Sequence, residues 1–257
     1  MEKVFPVSKN PNVMLNNYSG VLQIKGWQNS EVKAVCTRQS QNVEIDTEFN
    51  SNKLRISAHV LDRLASPEKA KVDCQLMTPE ESDIQIRNNL GSVSVENIKG
   101  EILVDVFNAD VNVTGVSGYL NVKSLGSKLN IADSRGIIQA NTVSGDIFFR
   151  NLDSNNVSAF STLGNILYDG DFLPGGKYNF STNEGLITVL CSDNASVEWD
   201  MKTVKGSISS NLPIRSKNHR PATPSVFGKQ SLIGTSNSGD AIVQLSTFSG
   251  KIVINKK

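Results

Sequence analysis

From Gly91 onward the chain alternates apolar and polar positions inside a unit of nine residues. Small residues recur at Gly91, Gly100, Ala109, Gly118, Ser127, Gly136, Gly145 and Ser154. Two and four residues after each of the first seven stand apolar side chains, as in Val93 and Val95, Ile102 and Val104, Val111 and Val113, or Ile147 and Phe149. A third, mostly apolar position follows seven residues after the small one, as at Ile98, Phe107, Val116, Leu125, Val143 and Leu152, with Ser134 the exception. Apolar residues at every second position predict a short strand with one buried face. The small residue before it predicts a corner, where glycine allows an unusual φ or a close backbone approach. The third position is expected to turn inward beyond a bend. Strands this short are not stable as isolated hairpins and become so when stacked on equivalent strands.

A larger period groups these units. The marker Thr142-Val-Ser-Gly145-Asp-Ile147 returns around Gly164-Asn-Ile166, Gly185-Leu-Ile187, Gly206-Ser-Ile208 and Gly250-Lys-Ile252, each preceded by Thr or Ser. Gly145, Gly164, Gly185 and Gly206 are 19, 21 and 21 residues apart, with second strands at 156–160, 177–180 and 195–199 between them. The expectation is an all-β chain: a single-chain parallel β-solenoid, or β-helix, with about two strands per coil of 18–21 residues.

Residues 1–90 are β-rich without the tight repeat. Strands are predicted at 4–7, 20–24, 31–38, 43–48, 53–58, 72–77 and 84–87, with an antiparallel hairpin turning at Asn50-Ser-Asn52. Gly20-Val-Leu-Gln-Ile24 reads as an early copy of the marker, and Leu61–Ala70 is the one stretch compatible with a helical turn. The predicted organisation is an antiparallel β-rich N-terminal cap over 1–90, shielding the first coil's open edge, and a solenoid domain over 91–257. A basic loop at 213–229 interrupts that domain. It carries Arg215, Lys217, His219, Arg220 and Lys229 together with Pro213, Pro221 and Pro224, and no acidic residue occurs between Asp200 and Asp240. It reads either as a plain basic loop or as a partner-binding loop for an anionic ligand.

Composition narrows the function classes. The formal net charge is +1 and aromatics are 6%, so neither a global field nor stacking platforms for nucleic acid are expected. No apolar run approaches the roughly 18 residues of a membrane span. Met1–Ser8 lacks an apolar signal-peptide region, which leaves a cytoplasmic protein or one whose leader was removed. Cys36 and Cys74 alternate with apolar neighbours and read first as buried small hydrophobes, with a Cys36–Cys74 disulfide as the alternative in an exported protein. Trp27 and Trp199 read as packing or cap residues. The chain has only two histidines, His59 and His219, neither beside a candidate nucleophile, and contains no phosphate-loop, dinucleotide or metalloprotease motif. Glu101, Asp105, Asp110, Asp133, Asp146, Asp169 and Asp171 read as solvated surface or turn acids rather than a glycosidase pair. No catalytic, cofactor-binding or metal-binding set is expected.

Val21-Leu-Gln-Ile-Lys-Gly-Trp27, followed by Glu31-Val-Lys-Ala-Val35, resembles the start of bacterial putative-adhesin domains of unknown function, the DUF4097-like group with auto-transporter adhesin head-like β-solenoids. The Thr142–Ile147 marker and the closing Thr247-Phe-Ser-Gly-Lys-Ile-Val-Ile254 resemble that group too. The resemblance implies an exported, envelope-associated, non-enzymatic structural or adhesion module. Its partner would be an envelope component, polysaccharide or protein, and the family supplies no catalytic residues. The alternatives are a carbohydrate-active β-helix enzyme and a scaffold polymerising end to end.

Overall fold

Apolar alternation becomes strand throughout the chain. A computed structural model describes residues 1–62, 64, 66–216 and 230–257, and every regular element among them is a β-strand. The stretch expected to allow a helical turn closes one single turn of that kind, in which the Ala70 amide donates to the Ser66 carbonyl, four residues back, at 3.1 Å. Among the described residues no helix is long and apolar enough to cross a membrane. The chain forms two compact units, Met1–Ser127 and Lys128–Lys257.

The first unit contains β1 (Glu2–Pro6), β2 (Asn12–Trp27), β3 (Glu31–Arg38), β4 (Val43–Asn50), β5 (Lys53–Val60), β6 (Val72–Pro79), β7 (Asp83–Glu96), β8 (Lys99–Thr114) and β9 (Ser117–Ser124). β7, β8 and β9 pair in parallel at an offset of 18 residues, with Ile84 opposite Ile102 and Ile102 opposite Leu120. Equivalent side chains therefore stack on one another: Val93 on Val111 and Ile86 on Val104, all buried. β2 pairs in parallel with β7, Gly20 against Gly91, Leu22 against Val93 and Ile24 against Val95, so the early copy of the marker lies directly against the first regular one.

The segment between β2 and β7 covers the other edge of β2. β5 pairs with its first half and β6 with its second, both in parallel. β4 then pairs antiparallel with β5, β3 with β6, and β1 with β3. The β4–β5 hairpin turns through Ser51 at φ 56°, as the Asn-Ser-Asn sequence anticipates. Residue 90 lies within β7, whose pairing with β2 and β8 continues on both sides of it. Cys36 and Cys74 face each other in the β3–β6 ladder and form a disulfide. This corrects the reading of two separate buried thiols. Both residues are buried, but antiparallel pairing brings their side chains together across strands, a relation that spacing along the chain does not reveal.

The second unit contains β10 (Leu129–Ala132), β11 (Arg135–Thr142), β12 (Ile147–Arg150), β13 (Asp153–Ser161), β14 (Ile166–Asp169), β15 (Lys177–Cys191), β16 (Val197–Ser210), β17 (Arg215–Ser216), β18 (Gln230–Ser236) and β19 (Ala241–Lys256). Successive parallel pairs stack Leu129 on Ile147, Ile147 on Ile166 and Ile166 on Ile187. The order then departs from chain order. β19 lies between β15 and β16, with Ile252 opposite Ile187 on one side and Ile208 on the other. β16 is covered on its outer side by antiparallel β18, which also pairs with β17. β19 is the last strand in the chain but not at the edge of the array. β15, β16 and β19 carry the same Thr-x-x-Gly-x-Ile pattern, so each can stack on either of the others, and the inserted order gives β19 partners along both edges. Lys257 pairs with Asp169 at 2.7 Å, and Lys256 with Asp193.

The third apolar column divides into two classes. Ile98, Val116, Ser134 and Leu152 are buried, whereas Phe107, Leu125 and Val143 are exposed. The expected inward turn thus holds at every second corner only, so consecutive nine-residue units are not equivalent. Within the second unit the core is aromatic. Phe172 packs against Tyr168, Tyr178 and Trp199 at centroid distances of 5.0, 4.7 and 5.6 Å. The polar atoms of these rings are engaged: Trp199 Nε1 donates to Ser236 Oγ at 2.9 Å, and the Tyr178 hydroxyl to the Ser154 carbonyl at 2.6 Å.

Candidate binding surfaces

The hydroxyls that precede four of the marker glycines, those of Thr142, Ser161, Thr182 and Thr203, serve the backbone, whereas the buried Thr247 Oγ1 has no hydrogen-bond partner among the described residues. Ser161 Oγ donates to the Gly145 carbonyl at 3.1 Å and accepts from the Gly164 amide at 2.8 Å. Thr182 repeats the arrangement by donating to the Gly164 carbonyl at 3.1 Å. Gly164 itself has no space for a side chain, because a Cβ there would collide with the Gly145 carbonyl. Thr and Gly at this spacing are therefore parts of one corner.

Several acids serve neighbouring segments in the same way, among them Asp83, which is not one of the sequence's candidates. Asp83 Oδ1 accepts from the Glu101 amide at 2.9 Å and Asp171 Oδ1 from the Ser192 amide at 3.2 Å. Asp146 Oδ1 accepts from the Asn165 amide at 2.7 Å, and Asn165 Oδ1 in turn accepts from the Leu186 amide at 2.9 Å. Asp133 accepts from the Asn151 side chain at 2.6 Å. Asp83, Asp146, Asn165 and Asp171 bridge neighbouring segments through main-chain donors, and Asp133 does so through a side-chain amide. Among the described residues, no three His, Cys, Asp or Glu side chains gather where a metal ion could be held.

The basic segment is only partly described. Arg215 is exposed and lies in β17 opposite Thr235 of β18. Lys217, His219, Arg220 and Lys229 lie outside the described residues.

A concave surface that the sequence did not single out lies in the first unit. It is a groove of about 340 Å³ where the turn after β2, the turn after β6 and the loop before β2 meet. Trp27 is half-buried in its wall, opposite Pro79 in the β2–β6 ladder. Trp27 Nε1 donates to the Glu31 carbonyl at 2.8 Å, so the ring presents carbon to the groove. Glu80 is held at both oxygens, by Gln28 at 2.5 Å and by Lys99 at 2.6 Å. The hydrogen bond from Lys99 is the largest cause that lowers the Glu80 pKa below its ordinary value. Around this fixed group stand the exposed side chains of Asn10, Asn29 and Glu81, which hydrogen-bond to no described residue. The signals that could have found the groove were the turn residues Gln28-Asn-Ser30 and Pro79-Glu-Glu-Ser82. They lie outside the repeat, and nothing local says that they meet.

No curated protein matches the chain. Among solved structures, the chain aligns over 100% of its length with 99% of a putative cell adhesion protein from Clostridium sporogenes ATCC 15579, at 15% identity and a TM-score of 0.27. It aligns equally fully with 96% of a putative adhesin from Bacteroides fragilis NCTC 9343, at 12% identity and a TM-score of 0.46. A putative adhesin from Parabacteroides merdae ATCC 43184 matches over 95% of its chain, at 12% identity and a TM-score of 0.42. The sequence profile of the Toastrack domains, a β-solenoid-like family also designated DUF4097, matches residues 22–255. The aliphatic register that stacks Leu22 and Ile24 of β2 on β7, and the glycine and aliphatic register that stacks β15 on β19, lie inside that match: the chain belongs to the Toastrack DUF4097 family.

Proposed function

We propose that this chain is a non-enzymatic adhesion module, exported to the bacterial cell envelope, that presents a regular β-solenoid surface to an envelope component. The observation that carries this reading is the commitment of the Ser161 and Thr182 hydroxyls and of Asp83, Asp146 and Asp171 to backbone hydrogen bonds. Groups so engaged are poorly placed for acid–base or nucleophilic work, which requires a reacting proton within hydrogen-bond reach. What the repeats turn outward is a scaffold surface suited to contact. The Cys36–Cys74 disulfide supports export, since such bonds persist in oxidising compartments.

The scaffold is a solenoid with two strands per coil. Parallel partners lie 18 residues apart at Leu129 and Ile147, 19 at Ile147 and Ile166, and 21 at Ile166 and Ile187. The alternation between buried and exposed corners supports two unlike strands per coil. An experimental structure pairing strands nine residues apart in one sheet would overturn that arrangement.

The functional test is binding of the purified full-length chain to isolated envelope fractions and to a glycan array. Saturable binding to at least one envelope component is expected. Failure to bind any of them, or turnover of a bound polysaccharide, would overturn the reading.

A further inference from the structure

We propose that the groove beside Trp27 is a binding site for a neutral oligosaccharide, a proposal that rests on the adhesion reading and gives its contact chemistry. A sugar ring presents an apolar C–H face and a rim of hydroxyls that both donate and accept. The groove offers the complement of each. The Trp27 ring, its only polar atom bonded to Glu31, supplies an apolar wall, with Pro79 beside it. Asn10 and Asn29 bring amides that donate and accept together, as neighbouring hydroxyls require. Glu81 adds an acceptor not engaged by any described residue.

Charge selects the class. Two lysines, Lys9 and Lys99, stand with two glutamates, Glu80 and Glu81, so the groove is balanced and favours neither an anion nor a cation. Glu80 is already neutralised by Lys99 and fixed by Gln28, which gives the floor a set shape before any ligand arrives. Preorganisation of that kind reduces the ordering cost of binding. The volume, about 340 Å³, lies at the small end of the range of roughly 300–1,000 Å³ for small-molecule sites and fits a short stretch of saccharide. Most lining residues are exposed, so the site is a trench along which a longer polymer could continue.

The two tryptophans make the proposal readable. Trp199 is fully buried in the second unit, so acrylamide quenching of the intact protein reports chiefly on Trp27. The probes are cellotetraose and chitotetraose, which distinguish a plain from an N-acetylated neutral sugar, and trigalacturonate as an anionic control. Protection of Trp27 by one neutral probe, with trigalacturonate inactive, is the expected result. The double variant Asn10→Gly and Asn29→Ala should weaken that protection about tenfold or more through the loss of two hydrogen-bonding side chains, with an unchanged melting curve. Glycine is chosen at position 10 because Asn10 sits at φ 53°.

Three results would overturn the site: no protection by either neutral sugar, stronger protection by trigalacturonate, or protection that the double variant leaves intact. If the wild-type chain binds envelope fractions while Trp27 stays open to quencher, the groove assignment fails and the adhesion reading stands. If it binds neither envelope fractions nor sugars, both fail.

Discussion

Gly164 shows what a single small residue does in this chain. Its missing side chain lets the Gly145 carbonyl approach, and that carbonyl is itself held by Ser161 Oγ at 3.1 Å. Neither neighbour can retreat without breaking the corner. Gly164→Ala is expected to cost about 1–3 kcal/mol of stability, the range for overpacking a close contact, read as a lower urea midpoint with the slope preserved. A neutral effect would mean that the corner is softer than its hydrogen bonds imply. Cys191 is a second residue-scale case. It is fully buried, and burial pushes its thiol from 9.0 up to about 12. Because the folded value is raised, the stability it contributes is complete below the ordinary thiol range and is lost as pH rises through about 12. At neutral pH a thiol reagent should label no cysteine in the folded protein and only Cys191 after denaturation without reductant, since Cys36 and Cys74 are bonded to each other. Rapid labelling of native protein would contradict this burial.

Interchangeable strands explain the most unexpected element of the fold. β15 and β16 follow each other in sequence and are separated in space by β19. Lys177 lies opposite Ile242, and Ile242 opposite Glu198, so β15 and β16 remain in register with each other at an offset of 21 residues. The Ile166–Ile187 pair of β14 and β15 has the same offset. A chain truncated after Asn237 is therefore expected to stay folded, with β16 closing directly onto β15, but with lower stability. Hydrogen exchange would find both strands still protected; collapse of the far-UV β signal would sink this expectation. The strand positions and the stacked columns were legible in the sequence because alternation and a glycine marker are local properties. The place of β19 was not, because three strands with one pattern are compatible with several orders.

At the scale of the whole molecule, the two units carry different reinforcement. The disulfide belongs to the first unit and closes a separation of 38 residues, while the second contains a reduced cysteine and a packed aromatic core. Each unit also contains one tryptophan, Trp27 in the first and Trp199 in the second. Reduction should lower the stability of the protein by about 2–4 kcal/mol, the usual contribution of a loop-closing disulfide, read as a lower urea midpoint; an unmoved midpoint would contradict this. The basic run that holds Arg215 could be picked out from the sequence as a candidate, because such a run is visible in one dimension. The groove at Trp27 was missed because its members come from three separate turns.

The amino-acid sequence alone determined that this chain is all-β, where most strands begin, and which aliphatic residues stack, since periodicity of two within a nine-residue unit leaves one buried face per strand. Tertiary structure decided what that periodicity leaves degenerate. β2 meets β7 across an inserted segment, β19 enters between β15 and β16, Cys36 bonds Cys74, and three turns close on Trp27. Each depends on which strand edge is left to be paired, and edges acquire partners only when the chain is assembled in three dimensions.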